Sequence, residues 1–121
     1  MKENITKIKS FSFALRIVKA YQFLSEKKEF VLSKQILRSG TAIGALVREA
    51  EQAESTADFV HKMAIALKVA SETEFWIELL NQSNYLDDKI SLSLKADLTE
   101  ILKLLTAIIK STKNKQWRID N

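Results

Sequence analysis

An all-α fold, an antiparallel up-down-up-down four-helix bundle, is what this chain predicts, and three observations predict it. Proline is absent and glycine occurs twice in 121 residues, whereas sheet-rich folds need turn residues at regular intervals. Apolar residues recur at spacings of three and four along four long segments. The breaks between those segments are short, and short connections make consecutive helices antiparallel neighbours. A chain of 121 residues forms a single domain with room for one core.

The first helix is expected over residues 11–27, with Phe13, Ile17, Ala20 and Leu24 as its stripe and Ala14, Val18 and Tyr21 widening it. Arg16, Lys19 and Gln22 face the other way, and Glu26-Lys27-Lys28-Glu29 makes the connection. A second helix over residues 32–54 carries Ile36, Ile43, Val47 and Ala50 toward the core. It also contains both glycines, Gly40 and Gly44. Each costs about 1 kcal/mol relative to alanine in a helix, so close packing of a neighbouring helix is the expected compensation. Residues 39–45 carry small side chains at almost every position, which fits that reading.

Ser55-Thr56-Ala57-Asp58 has the Ser-x-x-acid form of a capping box and starts a third helix over residues 56–82. Its seam is Phe59, Met63, Ala66, Ala70, Thr73, Ile77 and Leu80, alternating spacings of four and three as in a bundle. Asp87 or Asp88 caps the fourth helix, over residues 88–113, whose stripe runs Ile90, Leu94, Leu98, Ile101, Leu105 and Ile108. The basic C-terminal tail beyond it is expected to fray.

Composition excludes several chemistries. Cysteine is absent, which removes disulfides, thiolate metal sites and thiol nucleophiles. Asp58 and His61 form a carboxylate-x-x-His half-motif, but a di-iron site needs two such pairs and this chain has one histidine. The same shortage defeats nucleophilic triads. No catalytic residue, cofactor or metal ligand is therefore expected, and the chain does not read as an enzyme. No apolar run reaches the ~18–20 residues of a membrane span. Arg16 and Lys19 interrupt the one N-terminal candidate for a signal sequence, so a cytoplasmic protein without a membrane partner is expected. A formal charge of +4 and a pI near 9.3 are only mildly basic.

The third helix has a second stripe of Ile65, Val69, Glu72, Trp76 and Leu79, and the second helix has one of Ala42, Leu46, Glu49 and Ala53. That is more apolar face than one bundle needs, so Ile65, Val69, Trp76 and Leu79 are expected at a contact between copies of the chain. The alternative is a monomer with a thick core. Glu72 interrupts the apolar stripe and needs a partner. Arg38 lies as far before the intervening turn as Glu72 lies after it, which predicts a buried ion pair between them. Lys2, Lys7 and Lys9 at one end of the sequence, with Lys110, Lys113, Lys115 and Arg118 at the other, come to one end of an up-down-up-down bundle. They form a candidate phosphate-binding rim, with Trp117 placed to stack on a base. Solvated tails are the alternative.

Residues 33–80 resemble the four-helix-bundle proteins encoded within bacterial 23S ribosomal RNA intervening sequences. The matches include Arg38-Ser39-Gly40-Thr41, Ile43-Gly44-Ala45, Glu49-Ala50, Ala57-Asp58-Phe59, Ala66-Leu67-Lys68, Glu72-Thr73 and Trp76. Ser10-Phe11-x-Phe13-Ala14 extends the resemblance into the first helix. It implies a homo-oligomer, typically a pentamer, without enzymatic activity. A related branch, the accessory proteins of diversity-generating retroelements, implies binding to RNA or to a ribonucleoprotein partner. The chain departs from the pattern at Ala42, Leu46 and Val69, where the family usually has Ser, Asn and Glu. Two functional classes follow: an oligomeric scaffold that binds RNA or a ribonucleoprotein, and a purely protein-binding or structural oligomer.

Overall fold

Four helices, and no strand, make up the described residues 4–120 of the computed structural model: α1 Ile5–Glu26, α2 Leu32–Glu51, α3 Thr56–Gln82 and α4 Asp88–Asp120. Asn4 caps α1, its side chain accepting the Lys7 backbone N–H at 3.0 Å. The helix therefore starts six residues before the expected position 11. The reason lies in its core-facing positions, which before Phe13 are Thr6 and Ser10. Both are buried, and a hydroxyl satisfied by a backbone carbonyl continues the face without continuing the apolar pattern; Ser10 Oγ donates to Lys7 O at 3.2 Å.

At its other end α2 stops at Glu51, short of the expected 54, because Ser55 must adopt extended backbone to cap α3. The Ser55 side chain accepts the Asp58 N–H at 3.0 Å. α4 departs furthest from expectation. It runs to Asp120 as regular helix, so the region read as a frayed tail is its last two turns. No glycine or proline stops it, Thr112 and Gln116 stay half-buried, and the Gln116 amide holds the Asp120 carboxylate at 3.1 and 3.2 Å.

The start of α2 has an unusual cap. Val31 occupies the N-cap position without a side-chain hydrogen bond, and Glu29 supplies the acceptor instead. Its carboxylate accepts the N–H of Ser33 at 2.6 Å and of Val31 at 3.3 Å, while the Ser33 hydroxyl donates to the Glu29 carbonyl at 2.7 Å. Burial pushes the Glu29 carboxyl up, but the N–H groups of Ser33, Leu32 and Val31 outweigh it and hold the group below its ordinary range. A depressed carboxyl stabilises the fold above its unfolded pKa, and that contribution disappears as pH falls through the folded value. Glu29→Gln should therefore cost about 1 kcal/mol at neutral pH, as other lost caps do. In denaturation series the gap to the native protein should narrow as pH falls below the ordinary carboxyl range and close once pH has passed the depressed folded value, where the Glu29 carboxyl is neutral. A gap independent of pH would show that the carboxylate charge is not what caps α2.

Turns are made without glycine. Among the described residues Lys28 and Asn84 have left-handed backbone, at φ 63° and 68°. The glycines lie inside α2, where α1 crosses it: a Cβ on Gly40 would sit 2.7 Å from Ile17 Cγ1, and one on Gly44 would sit 3.2 Å from the Ser10 carbonyl oxygen.

α1 packs on α2 and α4, and α3 packs on the same two helices, closing a ring of four seams. Phe13, Ile17, Leu24, Ile36, Ile43, Ile77, Leu80, Leu94, Leu98 and Leu105 fill the centre and are essentially solvent-free. Ion pairs edge the seams: Arg16 with Asp97 at 2.6 Å between α1 and α4, and Lys95 with Glu78 at 2.8 Å between α3 and α4. Among the described residues no helix is long and apolar enough to cross a membrane.

Candidate functional site

Along the α2–α3 seam, register decides which pair is inside. Ser39 and Thr73 meet within the core, oxygen to oxygen at 3.0 Å, with the Thr73 hydroxyl also 2.9 Å from Val69 O. One residue earlier on each helix, Arg38 and Glu72 meet on the outer edge. The Arg38 guanidinium donates to Glu72 Oε2 and, at 3.1 Å, to Gln35 Oε1, while the Trp76 indole N–H donates to the same Glu72 oxygen at 2.8 Å. The indole hydrogen bond, then the Arg38 guanidinium, hold the Glu72 carboxyl below its ordinary range against the smaller opposing effect of burial.

The expectation of a buried ion pair needs correction here. The Arg38 side chain is 54% exposed and that of Glu72 36%, because both leave the seam outward while the small Ser39 and Thr73 occupy the interior. A half-exposed pair is solvent-screened. A double-mutant cycle with Arg38→Met and Glu72→Gln should thus give a coupling of about 0.5–1 kcal/mol that shrinks with added salt. Zero coupling at low salt would mean that the pair contributes geometry alone.

Of the residues expected between copies, Ile65, Val69 and Trp76 are half-buried, and Val69 and Trp76 pack on their own core. Leu79 is exposed, and beside it Phe75 is 54% exposed, its ring edge-on to Trp76 at 5.0 Å. Leu46 packs on the same core and Ala42 is half-buried.

A second uncovered apolar face lies on α1 and was not anticipated. Ile8, Phe11, Leu15 and Val18, with Ile5 beside them, are all exposed, and the Arg48 guanidinium covers the Phe11 ring at 5.1 Å. Val18 thus belongs to this outer stripe and does not widen the core. The spacing of three, four and three from Ile8 to Val18 is the signal that would have identified it.

The basic rim divides in two. Lys7 is held by Glu51 at 3.2 Å and Lys9 by Glu100 at 2.6 Å, so their charges are neutralised within the chain. Lys2 lies outside the described residues. Lys110, Lys113, Lys115 and Arg118 are exposed along the end of α4 and form no ion pair among the described residues; Trp117 is 65% exposed. Lys110, Lys115 and Arg118 border a shallow groove of about 370 Å³ with Ser111 and Asn114. Lys113 faces a wider cleft of about 800 Å³, shared with His61 and the start of α3. Asp58 is occupied locally, accepting the Glu54 N–H at 3.2 Å, and no acidic or histidine cluster able to hold a metal occurs among the described residues.

Residues 2–107 match the model of a family described as 23S rRNA-intervening sequence protein. Among solved structures, the chain is similar to a protein of unknown function from the S23 ribosomal protein family of Bacteroides thetaiotaomicron VPI-5482. The two share 59% sequence identity over 88% of this chain and 99% of that one, with a TM-score of 0.86. No curated protein matches the chain.

Proposed function

Because this chain belongs to the 23S rRNA-intervening sequence protein family, we propose that it is a non-enzymatic, homo-oligomeric scaffold of the cytoplasm that binds RNA or a ribonucleoprotein. An up-down-up-down course is supported by Ser10 beside Gly44 and Ile17 beside Gly40, Arg38 beside Glu72 and Glu49 beside Lys62, and Glu78 beside Lys95 and Asn81 beside Asp88, numbers rising along one helix as they fall along the next. The observation that carries self-association is the pair of uncovered apolar faces, Phe75 and Leu79 on α3 and Ile8, Phe11, Leu15 and Val18 on α1. Apolar faces on two sides of one chain favour association into a ring, and five copies is the number the family resemblance implies.

Light scattering should give a mass several times 13.8 kDa, and Trp76→Ala, which removes the ring that supports Phe75, should lower it. A strict monomer at micromolar concentration would refute the scaffold. RNA binding is tested by retardation of RNA that weakens steeply as salt rises. The second reading, a purely protein-binding oligomer, is favoured by the near neutrality of residues 1–107, which hold fifteen basic and fourteen acidic residues.

A further inference from the structure

We propose that α4 beyond Ala107 is an RNA-binding arm, separable from the bundle that assembles, and that Lys110, Lys113, Lys115 and Arg118 are its phosphate contacts. The inference rests on the RNA reading above and locates it. After Ala107 the chain has four basic residues and one acidic residue, so +3 of its formal +4 lies in the last fourteen positions. The single acid, Asp120, is already held by the Gln116 amide. Charge is thus concentrated on one short piece of helix, and the four cations there have no carboxylate partner among the described residues, unlike Lys7 and Lys9.

Geometry suits a phosphodiester chain. From Lys110 to Arg118 is eight residues, ~12 Å of helix axis at ~1.5 Å per residue. Lys110, Lys115 and Arg118 border one groove, whose Ser111 hydroxyl and Asn114 amide add neutral hydrogen-bond donors, and Lys113 lines an adjoining groove with Lys110 and Asn114. A polyanion with a charge at every repeat engages several such cations at once and releases condensed counterions as it does so. The helix holds the backbone of all four in place, so less conformational freedom is lost on contact than in a disordered tail. The family match ends at residue 107, before the first of them, so the arm lies outside the matched bundle.

The experiment measures anisotropy of a labelled single-stranded RNA of mixed sequence against the full chain over a salt series. The variant Lys110→Gln, Lys113→Gln, Lys115→Gln, Arg118→Gln should lose at least about tenfold in affinity, and its slope of log K on log salt should flatten by about 2–3, near 0.7 for each phosphate contact. Lys7→Gln with Lys9→Gln should stay within about twofold of native affinity, since both cations are already paired. Helicity and mass by light scattering should be unchanged in the arm variant. Native affinity and slope in the arm variant would overturn the assignment while leaving RNA binding elsewhere on the surface intact. Loss of RNA together with loss of the native mass would overturn separability, and Lys110→Gln with Lys115→Gln gives a second, milder variant for the same comparison. A native chain that binds no RNA at low salt refutes the underlying reading itself.

Discussion

Replacing Gly40 by leucine should destabilise the protein by about 2 kcal/mol or more, although leucine is much the better helix former. A Cβ at this position would lie 2.7 and 2.8 Å from Ile17 Cγ1 and Cγ2, closer than real carbon contacts allow. Those atoms belong to a β-branched side chain that is fully buried, so they cannot swing away as the tip of a long side chain would. Helix propensity returns at most about 1 kcal/mol, whereas overpacking a tight core costs about 1–3 kcal/mol and more when three further carbons must be placed. The denaturation midpoint should fall, with Gly40→Ala between native and leucine. A midpoint at or above native for the leucine variant would mean that α1 yields easily, and the role given to Gly40 would be wrong.

Phe13→Ala should cost more, about 3–5 kcal/mol, out of the ~5–15 kcal/mol that keeps a domain of this kind folded. Phe13 is the largest side chain in the core and is 1% exposed. It also anchors α1, whose contact with α4 is the thinnest seam of the ring. The contrast is Phe11, two residues away and 48% exposed, where Phe11→Ala should change urea stability by no more than about 0.5 kcal/mol. Similar losses at both positions would show that the two faces of α1 are assigned the wrong way round.

The parts of the fold that could be read in advance are those where a single physical cause sets the pattern. Ile36, Ile43, Val47 and Ala50 repeat on one face of α2 because only burial rewards that spacing, and all four are buried. Ser55 and Asp58 mark the start of α3 because an orphan N–H needs an acceptor at a fixed distance. What escaped had two causes acting together. Thr6 and Ser10 face the core as hydroxyls, that of Ser10 bonded to its own backbone, so the start of α1 lacks the apolar repeat. Glu29 sits within a run of charges that reads as the connection between helices, whereas its carboxylate caps α2. The Arg38–Glu72 register follows from counting, but counting cannot tell the outer edge of a seam from its interior. Exposure there depends on the smaller Ser39 and Thr73 occupying the inside.

The ring of seams also has a kinetic meaning. Three of its four seams join helices consecutive in the chain, and each can form by closing a short loop; the α2–α3 pair needs only the turn between Glu51 and Thr56. The fourth joins α1 to α4, where Arg16 meets Asp97 across 81 positions of sequence. Contacts that are mostly local place the chain among helical bundles, which fold in about microseconds to milliseconds. Docking α1 onto α4 closes the longest loop of the four, so this thinnest seam carries the largest loop-closure cost.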